Sequence, residues 1–139
     1  MSNAPSSARD VADLTAQGVT AVLSLQTDDD LTNAGLRWEQ LQQWYASAGI
    51  TPRRVPIRDY SVEDLAAKLD DAVNELAALL AAGHRVCLHC TAGINRSPTV
   101  AIAYLVKMQG MPLAEAVNVV TTARPRAQPY LAAIARGRQ

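Results

Sequence analysis

The chain has few aromatic residues, few cysteines and no net charge. Its 139 residues include no phenylalanine, two tryptophans, four tyrosines and two cysteines, and 13 basic side chains balance 13 acidic ones. The absence of a basic surplus argues against a sequence-independent nucleic-acid binder. A hydrophobic content of 49% without net charge also excludes an intrinsically disordered chain. The length fits one compact domain over residues 1–139.

Long apolar runs are also absent. The longest, residues 76–82, is far shorter than the roughly 18 residues that indicate a membrane span. Residues 1–7 are polar and lack the apolar segment of a secretory signal. We therefore expect a protein of the cytoplasm with no membrane or nucleic-acid partner. We also expect a monomer in which residues 1–6 are flexible.

Apolar periodicity and capping residues divide the chain into alternating strands and helices. Residues 19–26 and 85–89 are short apolar runs typical of buried strands, and residues 50–59, which contain Pro52 and Pro56, fit a strand at a sheet edge. Helices are predicted from Ser7 to Gly18, over 36–48, from Ser61 to Gly83, and over 98–109, 112–122 and 129–136.

The order of these elements indicates the fold class. Strands alternate with helices early in the chain and helices dominate late, which predicts an α/β domain with a central, mostly parallel sheet flanked by helices. Between the first strand and the next helix, the acidic run at residues 28–30 is predicted to be a loop.

Residues 89–97 combine a strand end, a glycine-containing loop and a helix start. Their sequence is His-Cys-Thr-Ala-Gly-Ile-Asn-Arg-Ser, and Pro98 fits the first helical turn. Inward N–H groups and the positive end of the helix build an anion site, and Arg96 can bind two oxygens of an oxyanion. This predicts a phosphate-binding loop between a strand and a helix, formed by Thr91, Ala92, Gly93, Ile94, Asn95 and Arg96.

Cys90 occupies the first position of this loop. The inward N–H groups, the helix N-terminus and Arg96 favour its thiolate, which is an in-line nucleophile beneath a bound phosphate. A lone cysteine at a strand end is more often a small buried hydrophobe. Here Gly93 at +3 and Arg96 at +6 favour the nucleophile. We expect His89 to hold the loop by hydrogen bonds.

Residues 89–97 resemble the HCxxGxxR[ST] signature of cysteine-dependent protein tyrosine phosphatases, and specifically of the small dual-specificity phosphatases. The resemblance extends from the strand at residue 19 to the C-terminal helices. It implies a phosphocysteine intermediate on Cys90, phosphate bound by the loop amides and Arg96, and a Ser97 hydroxyl that eases breakdown of the intermediate. It implies no metal and no cofactor.

That family also needs a general acid from an upstream loop. Asp59 is the last residue of the strand predicted over 50–59 and precedes the helix capped by Ser61, which matches the family's placement. A neutral aspartic acid there would protonate the leaving oxygen and then accept a proton from the attacking water. Asp64 is the competing carboxylate, but its capping-box spacing from Ser61 favours a structural role.

The substrate remains open between phosphoproteins and phosphorylated glucans. Residues 18–31, 57–60 and 90–93 look most like the glucan-phosphatase branch, which includes laforin and the plant starch phosphatases. Those enzymes hold glucan on an aromatic channel, whereas this chain has Thr-Asn-Ala at 32–34 and only Tyr60 beside Asp59. A non-catalytic pseudophosphatase is a third hypothesis, and the presence of cysteine, arginine and acid argues against it.

Two other patterns carry less information. Cys87 and Cys90 form a C-x-x-C spacing, but residues three apart on a strand face opposite sides roughly 10 Å apart, which disfavours a disulfide. No second cysteine pair completes a zinc site.

The arginines at 53, 54, 58, 124 and 126 form either a solvated surface or a rim that attracts a polyanionic substrate. Trp38, Trp44 and Tyr45 are expected in the core.

Overall fold

The computed structural model describes residues 4–91 and 94–137. Over these ranges the strands are β1 (Ala21–Ser24), β2 (Thr51–Arg54) and β3 (Val86–His89). The helices are α1 (Ala8–Ala16), α2 (Asp28–Asn33), α3 (Trp38–Ser47), α4 (Val62–Ala81), α5 (Arg96–Gln109), α6 (Leu113–Ala123) and α7 (Leu131–Gly137). Of the segment 1–6 that the sequence predicts to be flexible, residues 1–3 lie outside the described residues. In its remaining part Pro5 is buried, and Ser6 donates hydrogen bonds to Asp10.

The three strands form a parallel sheet in the order β2-β1-β3. The predicted α/β class with a parallel sheet is confirmed. Strand β2 lies at an edge, where Pro52 does not interrupt the pairing because an edge strand can leave its outer positions unbonded. In the sheet register, Ser24 pairs with Arg54 on one side and with His89 on the other, so the carboxyl ends of the strands are level.

Helices cover both faces of the sheet. Alternate residues of β1 separate the two layers: Leu23 packs with α4, α5, α6 and α7, whereas Val22 packs with α1, α2 and α3. The first layer is built on the apolar stripe of α4, in which Leu65, Leu69 and Val73 are buried. None of the described helices is long and apolar enough to cross a lipid bilayer.

The prediction that residues 28–30 form a loop is wrong, because they begin helix α2. Thr27 caps this helix: its hydroxyl accepts from Asp30 N at 3.2 Å, and the Asp30 carboxylate accepts from Thr27 N at 2.9 Å. Three aspartates in the first turn also interact favourably with the positive end of the helix. Leu31 is buried and fixes α2 against the sheet.

Candidate active site

The segments that follow the three strands meet at the carboxyl edge of the sheet. Leu25 N donates to His89 O, and Ile57 N donates to Leu25 O, so the chain beyond each strand stays bonded to its neighbour. This convergence brings together residues 25–30, 55–60 and 90–97. In parallel α/β sheets this edge is where ligands bind.

Arg96, the first residue of α5, lies at the centre of this region with only 1% of its surface exposed. Its Nη1 donates to Asp30 Oδ2 at 2.7 Å and to Ile57 O at 2.7 Å. Its Nη2 donates to Thr91 Oγ1 at 3.1 Å and lies 3.5 Å from Asp59 Oδ2. The buried Nε has no hydrogen-bond partner within the part of the chain that is described. The guanidinium is therefore held at Nη1 and Nη2, while its Nε is an available donor among the described residues.

Cys90 and Ser97 lie next to each other beneath the loop. Cys90 Sγ is 3.5 Å from Ser97 Oγ, and both residues are buried. The adjacent His89 is also buried, and its Nδ1 lies 3.2 Å from Cys90 O. Because that carbonyl only accepts, Nδ1 carries the proton and donates. Burial lowers the pKa of His89 to about 4, so the imidazole is neutral at physiological pH. His89 thus contacts the start of the loop through this hydrogen bond.

Asp59 reaches the same place from the segment after β2. Its ion pair with Arg96 brings the expected acid to the side chain that is expected to bind phosphate, and Tyr60 N donates to its Oδ1 at 3.1 Å. Tyr60 has a positive φ of 58° and is 81% exposed, so its ring stands in solvent beside Asp59.

Asp64 has other partners, as its capping position predicts. Its backbone N–H donates to Ser61 Oγ, and its carboxylate accepts from Arg58 N at 2.7 Å and from Lys68 at 3.2 Å. Burial acts to raise the pKa of Asp64, but these donors outweigh it and hold the pKa below the ordinary value.

The second half of the loop is braced by the chain that precedes α7. Ile94 O accepts from Gln128 N at 2.7 Å. Thr99 Oγ1 donates to Asn95 O at 2.7 Å and accepts from Tyr130 N at 2.8 Å. Ala92 and Gly93, two of the predicted loop residues, lie outside the described residues.

Sequence reasoning missed Asp30 and Gln26. Burial acts to raise the pKa of Asp30, but the hydrogen bonds from Arg96 and Thr27 outweigh it and lower the pKa, so the carboxylate stays ionised. Gln26 is buried, and its side-chain nitrogen is 3.4 Å from Thr91 Oγ1. The spacing of Thr27 and Asp30 is a capping-box signal that could have revealed α2.

The remaining candidates lie mostly in structural positions. Cys87 packs in the layer opposite that of Cys90, which confirms that the two face opposite sides of the sheet. Tyr45 is fully buried, and Trp38 and Trp44 pack around the same layer. Within residues 4–91 and 94–137, no three His, Cys, Asp or Glu side chains cluster in a way that could hold a metal.

The arginines before Asp59 differ in their surroundings. Arg54 donates to Gln26 O and Asp28, and its guanidinium lies 5.2 Å from the centre of the Trp38 ring. These contacts hold the Arg54 side chain in place. Together with Arg58 it also lines a hollow of about 280 Å³ beside the first turn of α2.

Comparison with known proteins agrees with this geometry. Residues 2–135 match the family model of the dual specificity phosphatase catalytic domain. Human dual specificity phosphatase 28 is 38% identical over 81 residues, which are 58% of this chain and 46% of that protein. The amyloplastic phosphoglucan phosphatase DSP4 of Castanea sativa is 33% identical over 117 residues, or 83% of this chain and 31% of that protein. The chain thus spans less than half the length of these relatives.

Solved structures show the same fold. Tk-PTP in its active form superposes with a TM-score of 0.76 at 26% identity, over 97% of this chain and 85% of that one. Human DUSP28 gives a TM-score of 0.67 at 28% identity, over 97% and 87% of the two chains. Because the family model covers nearly all residues and the fold agrees, the chain belongs to the dual-specificity phosphatase family.

Proposed function

We propose that the chain is a metal-independent phosphomonoester hydrolase of the cysteine-dependent protein tyrosine and dual-specificity type. The observation that supports this proposal is the buried guanidinium of Arg96. Its Nη2 donates to Thr91, the neighbour of Cys90, and its Nε has no partner among the described residues. A buried donor without a partner is costly, and an oxyanion in the loop would remove that cost.

In the first step, the Cys90 thiolate attacks phosphorus and forms a sulfur–phosphorus bond as the bond to the leaving oxygen breaks. Asp59, protonated at this stage, gives its proton to that oxygen, so the product leaves as an alcohol. The amides of residues 91–96 and Arg96 bind the three phosphoryl oxygens. The 3.5 Å separation of Asp59 Oδ2 from Arg96 Nη2 supports this assignment because a general acid must lie close to the phosphoryl group that Arg96 would bind.

In the second step, water attacks the phosphocysteine and transfers a proton to the Asp59 carboxylate. The phosphorus–sulfur bond breaks, inorganic phosphate forms and the Cys90 thiolate returns. Ser97 Oγ, 3.5 Å from Cys90 Sγ, would donate a hydrogen bond to the departing thiolate. His89 would hold the start of the loop through its bond to Cys90 O.

The substrate is proposed to be a phosphotyrosine or phosphothreonine protein. A phosphorylated glucan is the second candidate, because the match to phosphoglucan phosphatase DSP4 covers 83% of this chain and the match to dual specificity phosphatase 28 only 58%. Exposed Tyr60 offers an aromatic surface beside Asp59 for either substrate. Residues 32–34 add no aromatic ring to it. Cytoplasmic location and a monomeric state remain predictions of the sequence.

The enzyme proposal is tested by hydrolysis of para-nitrophenyl phosphate in the presence of a chelator. Cys90→Ser is expected to abolish turnover, whereas Cys87→Ala, which alters the other cysteine in the opposite layer, should keep it. Rapid quenching should trap one phosphoryl group per chain, detected by mass spectrometry, and Cys90→Ser should prevent this labelling. No turnover by the unaltered chain, or full turnover by Cys90→Ser, would refute the proposal.

The substrate class is tested by comparing kcat/KM on three substrates. These are a phosphotyrosine peptide, a phosphothreonine peptide and phosphorylated amylopectin. A preference for either peptide supports the protein phosphatase. A preference for amylopectin that is lost in Tyr60→Ala, with peptide activity retained, would establish the glucan alternative instead.

A further inference from the structure

We propose that Asp30 is a positioning residue for phosphoryl transfer, which orients the Arg96 guanidinium so that its Nε and Nη2 edge faces the phosphate. This inference rests on the proposed function and adds to it a residue from a different helix. The Nη1 of Arg96 donates to Asp30 Oδ2 at 2.7 Å. The contact joins the first turn of α2 to the first turn of α5.

The burial of Arg96 makes a partner necessary. Arginine keeps its charge at every physiological pH, and a fully buried charge is strongly destabilising unless it is paired. Within the described parts of the chain, two carboxylates lie near the guanidinium: Asp30 at 2.7 Å, and Asp59 at 3.5 Å. Because the proposed acid must be protonated in the first step, Asp59 cannot supply the compensating charge throughout the reaction. Asp30 is the carboxylate that can.

The pattern of bonds decides which edge of the guanidinium is available. Nη1 is occupied by Asp30 and by the carbonyl of Ile57, with Leu25 O 3.4 Å away. Nε has no partner in the described parts of the chain, and Nη2 is shared between Thr91 and Asp59. A forked grip on an oxyanion uses two neighbouring donors. With Nη1 held by Asp30, those donors are Nε and Nη2.

The carboxylate of Asp30 is itself fixed by the capping box of α2. The same Oδ2 that accepts from Arg96 also accepts from Thr27 N at 2.9 Å, and Asp30 N donates to Thr27 Oγ1. Its side chain is only 16% exposed. A group held in this way imposes its geometry on a flexible arginine. Helix α2 therefore serves the site through its N-terminal turn.

Two effects of removing the carboxylate have opposite signs. The negative charge of Asp30 repels a bound phosphate, so its loss alone would strengthen phosphate binding. Its loss also frees Arg96 to rotate, which would weaken binding and slow the reaction. Positioning predicts that the second effect dominates, because misplacement of a reacting or binding group by about 1 Å can lower the rate about 10²-fold.

The test compares Asp30→Asn with two controls. The amide oxygen that Asp30→Asn introduces can still accept from Thr27 N and so keeps the cap, but without the negative charge it holds the Arg96 guanidinium more weakly. Asp29→Asn makes the same charge change one residue away, on an exposed side chain. Thr27→Ala removes a cap hydroxyl but leaves the carboxylate. For each variant we would measure kcat and KM on para-nitrophenyl phosphate, the Kd of inorganic phosphate, and the unfolding midpoint.

Asp30→Asn is expected to lower kcat/KM by about 10²-fold and to raise the Kd of inorganic phosphate. Asp29→Asn should stay within about twofold of the unaltered chain in both, because among the described residues no hydrogen bond or ion pair joins this exposed side chain to Arg96. A purely structural role of Asp30 would reduce the amount of folded enzyme and leave the Kd and KM unchanged. Thr27→Ala measures that structural effect in the unfolding midpoint. Because Thr27 N still donates to the Asp30 carboxylate in this variant, its Kd should change less than that of Asp30→Asn.

Arg96→Ala provides the second measurement. If Asp30 acts through Arg96, Asp30→Asn should not weaken phosphate binding further when Arg96 is already alanine. Additive losses would overturn the proposal, as would an unchanged or tighter Kd in Asp30→Asn alone. If Asp30→Asn does not fold, Asp30→Glu decides: it keeps the charge but moves it by one methylene, and wild-type kcat/KM in that variant would overturn positioning. Absence of turnover in the unaltered chain would instead refute the proposed function.

Discussion

Buried, neutral His89 should make the stability of this protein depend on pH in a defined window. The pKa of His89 is lowered by burial from 6.5 to about 4, and its Nε2 has no partner among the described residues. Between those two values the unfolded chain binds a proton that the folded chain does not. Above pH 6.5, His89 should therefore not lower the free energy of unfolding. As the pH falls from 6.5 to about 4 the free energy of unfolding should decrease, and below about pH 4 this group should cause no further decrease.

The size of the effect follows from the pKa difference. Each pH unit between the folded and unfolded pKa corresponds to about 1.4 kcal/mol, so the total loss is about 3 kcal/mol. The lowered pKa values of Asp30 and Asp64 affect the free energy of unfolding over a different pH range. Their ordinary value is 3.8, so their contributions persist above it and are lost as the pH falls through the still lower folded values. The two processes are separable.

Urea unfolding at intervals from pH 7.5 to 4 measures this slope. His89→Asn can still donate to Cys90 O but does not titrate, so the slope between pH 6.5 and 4.5 should shrink by most of its size. The matched control is His84→Asn, which removes the other histidine and must retain the slope if His89 is its source. A flat profile in the unaltered chain, or an undiminished slope in His89→Asn, would refute the reasoning.

Two predictions concern the loop and the acid. Thr99→Val removes the hydroxyl that links Asn95 O to Tyr130 N, and should cost roughly 1–3 kcal/mol in urea unfolding and lower kcat/KM. Thr121→Val should do neither, because among the residues that the structure describes the Thr121 hydroxyl bonds carbonyls of its own helix and nothing else; equal effects would contradict a role of Thr99 in holding the loop. Asp59→Asn should slow hydrolysis of a phosphoserine peptide far more than that of para-nitrophenyl phosphate; equal losses would argue against its role as the acid.

The sequence predicts the parts of the site that lie in one continuous segment. The spacing of Cys90, Arg96 and Ser97 is enough to predict where they lie, because a strand end, a short loop and a helix start have known local geometry. Asp59 is found because it follows a strand of a parallel sheet, and the carboxyl ends of such strands meet at one edge. These predictions need only local structure and the order of elements.

Helix α2 and the role of Asp30 could not be predicted in the same way. Three consecutive aspartates have low helix propensity, and a helix of six residues is too short to show an apolar period. Only the capping spacing of Thr27 and Asp30 indicates it. The pairing of Asp30 with Arg96 spans 66 residues and depends on how α2 and α5 pack, which no local pattern encodes.

The bonds around Arg96 and the loop also determine when the site assembles during folding. The partners of Arg96 lie far back in the chain: Asp30 is 66 residues earlier and Ile57 is 39 residues earlier. Tyr130, the partner of Thr99, lies 31 residues later. Contacts of such separation form late because closing long loops costs entropy, whereas α4 and α5 can form locally. Under mild denaturation, catalytic turnover should therefore disappear before the helical circular dichroism signal does.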